Sequence, residues 1–465
     1  MAQQRVKART ANRLSIIGAA AWRQSDKIGS AMRRRDVLSL SAAAALSVGA
    51  RRILGANDRV RVAVIGLGGR GGYHLGKYLT LAETEVTAIC DVDENAIERA
   101  QSRVAKAGRQ PVRQFTDMRK VFELKEVDAV SLPLPNHWHA LASIWAMEAG
   151  KDVYCEKPAS HDPWESRKMI EAARKHARML QIGSQGRSMG HKIEAMDLLH
   201  SGGIGNVYMA RGLCFKRRKS IGHKPDTDTP RGVNWDLFLG PAPMRPFNEL
   251  RFKYNWHWFW DTGNGDIGNQ GVHEMDIARW GLGIPDSHGQ LKSVSSGGGK
   301  YVYDDDQETP NTQIARFDYG DKELVFEVRG LPTGPEGGLK VRGGNTIGDL
   351  FYGSSGYLEM DDDGYTVYDE QHKVVKQRPA DKGDETAPHM QNFIAAVKSR
   401  NAKDLHAGIE IGATSADLCH FANISYRVRR TLQWDNATQS WAGDADANAL
   451  MRRPGREPYV IPENV

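Results

Sequence analysis

The sequence predicts an α/β domain built on a doubly wound parallel sheet, followed by a second, β-rich α+β domain. Three observations carry this. A β-rich run ends directly in a glycine cluster and an amphipathic helix. Apolar strands and helices then alternate as far as residue 183, with polar residues at the strand ends. Beyond that point the alternation gives way to short strands separated by Gly and Asp turns.

The first strand, 60–65, runs into Gly66-Leu67-Gly68-Gly69-Arg70-Gly71-Gly72. Gly66, Gly68 and Gly71 match G-x-G-x-x-G. Glycines suit this place because the turn is tight and the backbone must approach a pyrophosphate at the N-terminus of the next helix, which carries Tyr73, Leu75 and Leu79. Strand 86–90 ends in Asp91, 25 residues after Gly66. A carboxylate there accepts ribose hydroxyls and repels a 2′-phosphate, which favours NAD; Arg99 or a loop is what would admit NADP. Helix 94–107, a short segment at 111–115, helix 118–124 and strand 128–132 follow. Pro133-Leu134-Pro135-Asn136-His137-Trp138-His139 then leads into helix 140–149, closed by Gly150 as its C-cap. Strand 151–155 ends in Glu156-Lys157-Pro158, and strand 179–183 ends in Ser184-Gln185-Gly186-Arg187. Polar residues at the carboxyl ends of such strands face the ligand crevice.

In the second domain, helix 192–200 precedes strands at 207–215, 313–318, 323–329, 349–352, 356–360 and 365–368. Helices at 389–399 and 408–429 come next, then an irregular tail, 436–465. The expected division is a dinucleotide-binding domain at 57–183 and a substrate and oligomerisation domain at 184–435. The densest chemistry lies in Tyr254-Asn255-Trp256-His257-Trp258-Phe259-Trp260-Asp261 and in the segment from Gly265 to Asp276. Trp256, His257 and Trp258 combine aromatic faces with a polar group, which suits a sugar ring as well as it suits a core. Arg187 and Asp276 are further candidate substrate contacts, and Asp276, three residues after His273, is also a candidate support for it.

Composition narrows the function classes. Of 465 residues, 40% are hydrophobic and 26% charged, as in an ordinary globular protein. The net charge of +6 is misleading, because residues 1–56 hold 11 Lys/Arg against Asp26 and Asp36. The rest of the chain, with 52 basic and 55 acidic residues, is slightly acidic, so a nucleic-acid partner is not expected. Four scattered cysteines, Cys90, Cys155, Cys214 and Cys419, form no C-x-x-C pair, so no metal site is expected and buried thiols are.

Arg33-Arg34-Arg35-Asp36-Val37-Leu38 opens an Ala-rich run, 37–50, that ends in Val48-Gly49-Ala50. Its 14 residues are too few for the roughly 20 of a bilayer span, so no stable membrane span is expected. A basic region, a short apolar region and a small-residue end read as a signal peptide at 32–56, with 1–31 as a start extension. Arg34-Arg35 resembles a twin-arginine signal, which implies export of a folded protein to the periplasm.

Gly66–Gly71, Asn136-His137-Trp138-His139 and Glu156-Lys157-Pro158 resemble the glucose–fructose oxidoreductase/inositol dehydrogenase (Gfo/Idh/MocA) family over about residues 57–435. The resemblance implies a Rossmann domain and a C-terminal domain with a large open, mainly antiparallel sheet. Family members commonly bury that sheet against a partner, which implies a homo-oligomer unless the tail covers it. The resemblance also implies cofactor contacts from Gly66, Gly68, Gly69, Arg70, Gly71, Asp91, Asn136, His139, Glu156, Lys157 and Gln185. Glu156 would hold the nicotinamide ribose and Lys157 would sit beside the reacting carbon, where desolvation lowers its pKa. The family pattern D-x-G-x-H is met at Gly271 and His273 but has Asn269 in place of the acid. Asn269 orients a hydroxyl but takes no proton, so His273 is expected to stay near the ordinary imidazole pKa and Lys157 to carry the proton transfer.

Three functions follow as expectations. The first is NAD(P)-dependent oxidation of a secondary alcohol of a sugar, sugar derivative or glycoside. The second is a redox-neutral glycosidase with tightly bound, recycled NAD, which export would favour. The third is a non-catalytic sugar-binding relic.

Overall fold

The computed structural model describes residues 58–465; the expected start extension and the twin-arginine signal lie outside the described residues. Six parallel strands form the first sheet, in the order β3-β2-β1-β4-β5-β6. They are β1 (Val60–Ile65), β2 (Thr84–Cys90), β3 (Arg113–Phe115), β4 (Ala129–Leu132), β5 (Asp152–Cys155) and β6 (Leu180–Ile182). The order reverses between β1 and β4, and such a reversal opens a crevice at the strands' carboxyl ends. The continuous apolar strands reflect burial on both faces. On one face the helices Gly69–Thr80 and Glu94–Lys106 present Leu75, Tyr78, Ile97 and Val104. The other face is covered by the helices Met118–Phe122, Asn136–Glu148 and Pro163–His176.

The helix Pro163–His176 lies outside the elements read from the sequence, although its signals are local: Asp162 accepts from Glu165 N (2.9 Å) and Pro163 opens the first turn. A second difference concerns Asn136–Glu148, which begins four residues before the expected start. Pro135 as N-cap draws Asn136, His137 and His139 into its first turn. Gly150 closes it with φ +80°, as a C-cap glycine does.

The second sheet has ten strands in the order β14-β13-β12-β11-β7-β10-β9-β8-β15-β16. Only β7 (Val207–Phe215) and β10 (Glu323–Arg329) run parallel; the other pairs are antiparallel. Its remaining members are β8 (Ser293–Gly299), β9 (Thr312–Asp318), β11 (Thr346–Gly353), β12 (Gly356–Asp361), β13 (Gly364–Asp369), β14 (Val374–Pro379), β15 (Leu432–Asp435) and β16 (Ser440–Trp441). The sequence gives no clear sign of β8, which is Ser- and Gly-rich, or of β14, an exposed edge strand. One face packs on the helices Gly190–His200, Gly271–Gly281 and Ile409–Val428. Strict alternation in β9 and β10 buries Phe317, Phe326 and Val328 on that face and turns Ile314 outward.

The tail, expected to be irregular, is mostly turns but holds two short elements. It supplies β16 and the short helix Ala445–Ala449, and then reaches the first domain, burying Tyr459 and Val465 among its helices. Tyr459 packs edge-on against Trp138, so this segment lies on the first domain. The helix Ala387–Ser399 also returns, placing Met390, Phe393 and Val397 in the core beside β1. All four cysteines are buried free thiols.

Candidate active site

The crevice begins at the glycine loop. Gly66 adopts φ +92°, which only glycine does cheaply, and a Cβ at Gly71 would overlap the Gly66 carbonyl oxygen. A side chain at Gly68 or Gly69 would meet open space. The first two glycines thus shape the turn and the other two leave room above it. Asp91, at the end of β2, accepts from Leu67 N (2.5 Å) and Asp93 N (2.9 Å), so it fastens the loop and keeps lone pairs for ribose hydroxyls. Gln185 opens the turn after β6 with its Oε1 buried and without a protein donor. An open cradle at a helix N-terminus, a carboxylate at the end of β2 and an unanswered amide oxygen fit a dinucleotide.

Glu156 follows β5 and is buried. Arg70 Nε donates to its Oε1 (2.7 Å), His74 Nε2 lies 3.0 Å from the same oxygen, and Lys157 N donates to Oε2 (3.2 Å). Despite burial, Arg70 and His74 hold the Glu156 carboxyl well below its usual range. His74 is itself held by Ser131 Oγ at 2.9 Å. Glu156 and Arg70 are therefore partners of each other in this structure.

Lys157 Nζ donates to the backbone carbonyl of Asn269 (2.5 Å), the last residue of the helix Gly265–Asn269. That contact joins the end of β5 to the start of the Gly271–Gly281 helix, on which His273 sits. Burial lowers the Lys157 pKa; Glu156 opposes the shift while Arg70 and Lys216 add to it. His273 has its pKa lowered to about 3, first by burial and then by the Lys157 charge. This corrects the expectation of an unperturbed imidazole: burial and the Lys157 charge, not only the missing acid at 269, keep the ring neutral. Asn269 donates through Nδ2 to Tyr254 Oη (3.0 Å) and Asp266 Oδ1 (3.3 Å). Asp266 in turn binds Arg218 in a fork of 3.0 and 2.6 Å.

Several predicted contacts are engaged elsewhere. His139 is fully buried, with its ring nitrogens 2.6 Å from Pro158 O and 2.8 Å from Leu134 O; it braces the loops after β4 and after β5, and both nitrogens are engaged there. Asn136 is also buried and donates to Asn264 Oδ1 (2.8 Å), while Asn264 donates to His161 O (3.0 Å). These asparagines tie the two domains together. Arg187 and Asp276 form a buried two-pronged pair, with Nε–Oδ2 at 2.8 Å and Nη2–Oδ1 at 2.9 Å. Ser415 Oγ also donates to Asp276 Oδ1 (2.6 Å), and Arg187 lies over the Trp280 ring. Asp276 has its oxygens filled by these donors, and Arg187 is buried and turned onto it, so both are corrected from substrate contacts to supports. Trp258 is corrected likewise: it is buried, with Arg218 above its ring. Trp256 stacks on His257 at 3.5 Å, and the His257 ring nitrogen Nδ1 lies 2.5 Å from Tyr254 O, so this pair forms one wall.

Sequence reading missed Arg218, Asp266 and the hydroxyl of Tyr254. Asp266 stands three residues before Asn269, one helical turn, and that spacing is a usable signal. Arg218 lies in the basic run 216–219 just after β7, with no local sign of its partner.

Comparison with known proteins agrees with this architecture. Residues 60–184 match the oxidoreductase family model for an NAD-binding Rossmann fold, and 210–295 with 365–461 match the model for its C-terminal alpha/beta domain. A D-glucoside 3-dehydrogenase of Escherichia coli K12 is 26% identical over 238 residues, covering 51% of this chain and 57% of that protein. A glycosyl hydrolase family 109 protein of Solibacter usitatus is 31% identical over 168 residues, covering 32% of this chain and 38% of its own. The chain thus spans about half the length of the curated relatives it matches. The WlbA dehydrogenase of Bordetella pertussis, solved with NADH and UDP-GlcNAcA, shares the fold at a TM-score of 0.60 and 18% identity, over 81% of this chain and 99% of that one. The two family models together match more than half of the sequence, and by them the chain belongs to the Gfo/Idh/MocA family of NAD-binding oxidoreductases.

Proposed function

We propose that the protein oxidises a secondary alcohol of a sugar, sugar derivative or glycoside, with NAD as hydride acceptor. The observation that carries this is the position of Lys157: a lysine with a lowered pKa, held by one carbonyl, at the crevice between the two domains. Bound NAD supplies a hydride acceptor at the nicotinamide; Asp91, the glycine loop and Gln185 are the residues that would hold it. The chain's own task is the proton. In its neutral form Lys157 Nζ accepts the hydroxyl proton of the alcohol, and the low dielectric that lowers its pKa also strengthens that transfer. His273, neutral at working pH, offers a hydrogen bond but no charge. The dehydrogenase relative and the NADH- and sugar-nucleotide-bound neighbour support the same chemistry.

The test is purified protein with NAD and a panel of glucose, methyl α- and β-D-glucoside and myo-inositol. Accumulating reduced nicotinamide is the expected result. Product without net reduced nicotinamide would favour the redox-neutral reading, which the glycosyl hydrolase relative supports; no turnover would favour the binding relic.

Export to the periplasm rests on Arg34-Arg35 and the apolar run after them. Mass spectrometry of the mature protein should place its N-terminus near residues 51–57, and an intact Met1 or Met32 in the secreted fraction would overturn export. A homo-oligomer is supported by exposed Tyr208, Ile314, Val374 and Val375 on strands of the second sheet. Light scattering reads this directly, and a monomer at micromolar concentration would remove it.

A further inference from the structure

The geometry points to Tyr254 as a substrate-recognising residue, one that donates its phenolic proton to a sugar oxygen beside Lys157. The inference rests on the reading of the crevice as a sugar oxidation site and adds to it a specificity determinant that the sequence motifs do not contain.

The hydrogen bonds of one hydroxyl carry this. Tyr254 Oη receives two hydrogen bonds, from Arg218 Nη1 (3.0 Å) and from Asn269 Nδ2 (3.0 Å). Both donors are fixed in direction. Arg218 is forked onto Asp266, and the Asn269 amide must turn its NH2 toward the same carboxylate, which accepts from it at 3.3 Å. A guanidinium and an amide NH2 cannot accept in return, so the two lone pairs of Oη are taken and its proton is left over. Donation from a cationic Arg to the oxygen also strengthens the phenol as a donor. Tyr254 is 50% exposed and its bond from Arg218 lies at the surface, so a ligand arriving from solvent can reach this hydroxyl.

Its place is equally specific. Asn269 is bound to Tyr254 through its side chain and to Lys157 Nζ through its backbone carbonyl, so one residue sets the spacing between the lysine and the phenol. The Tyr254 ring lies over the His257 imidazole, with centroids 4.6 Å apart, and continues the wall made by Trp256 and His257. An apolar ring with one outward donor suits a sugar that shows a carbon face and one hydroxyl. Asn269 is essential to the arrangement: an aspartate there would accept from Tyr254, turning the phenolic proton inward.

The test uses full-length Tyr254→Phe loaded with NADH. Binding of the sugar panel is read by quenching of tryptophan fluorescence, and KM and kcat are read separately. The tightest-binding sugar should lose about tenfold in affinity, as expected for one lost hydrogen bond, with KM affected more than kcat. Among its monodeoxy analogues, one should bind the wild type and Tyr254→Phe equally, because it lacks the accepting oxygen. A loss of similar size for every analogue, or none for any, would overturn the inference while leaving the sugar site intact. A wild-type protein that binds no member of the panel would overturn the sugar reading itself.

Discussion

Lys157 and Arg187 stand at the ends of adjacent strands, β5 and β6, and the fold treats them in opposite ways. Arg187 meets a carboxylate of matching geometry, Asp276, and a ring face, Trp280, and its charge is neutralised there. Lys157 meets one carbonyl and is left with capacity, while burial and neighbouring Arg70 and Lys216 make its charge costly. The part a strand-end cation can play therefore follows from how fully folding compensates its charge, and not from residue type or position alone. A paired ion supports the crevice; an under-satisfied one can act in it.

The largest test of this contrast is Lys157→Met. Turnover should fall by about 10²–10⁴-fold, as for a positioned acid–base group, while NAD affinity measured by calorimetry stays nearly unchanged. Near wild-type turnover on the true substrate would show that the site has been misassigned. Asp276→Asn should do the reverse. Leaving Arg187 buried with a weaker partner costs about 3–5 kcal/mol of stability, seen as a lower denaturation midpoint, with kcat per folded molecule little altered.

The glycine loop permits the same contrast on a smaller scale. Gly71→Ala forces a Cβ into the Gly66 carbonyl and should cost about 1–3 kcal/mol of stability. Gly68→Ala enters open space, so Tm should hold while NAD binding weakens. A fall in Tm for both would show that Gly68 is needed by the fold rather than by the ligand.

Two pH effects are smaller. With the His273 pKa near about 3, kcat/KM for alcohol oxidation should show no inflection near the ordinary His value of about 6.5. It should instead rise with pH through a Lys157 value below the usual range for lysine. A strong inflection near neutrality that His273→Gln abolishes would return the proton to histidine. Glu274, beside it, is buried with one carboxyl oxygen unpartnered, and burial with the Asp362 charge raises its pKa to about 8. Its folded state binds the proton more tightly than the unfolded chain, so its contribution is present below the ordinary Glu value and is lost as pH rises toward about 8. Glu274→Gln should flatten that fall, raising Tm by a few degrees at alkaline pH and little at pH about 5. Equal shifts at both pH values would show a packing effect only.

The sequence carries most of the first domain in local signals. Strand, glycine turn, helix, strand and Asp91 are local signals, because a tight turn needs glycine and a buried strand needs continuous apolar residues. It also located Lys157, Asn269 and His273, whose motifs are contiguous. Which polar groups find partners depends on the assembled fold. Arg187 and Asp276 are 89 residues apart, and Arg218 and Asp266 are 48 apart. Nothing local in either segment says that these ions pair, or that Asn136 and His139 face inward. The second sheet follows the same rule: β8 and β14 are strands because of the neighbours they hydrogen-bond, not because of their own composition. Backbone preference and apolar period act over a few residues, whereas hydrogen-bond satisfaction and desolvation are settled only when distant segments meet, and these last two decide which groups in the crevice can react.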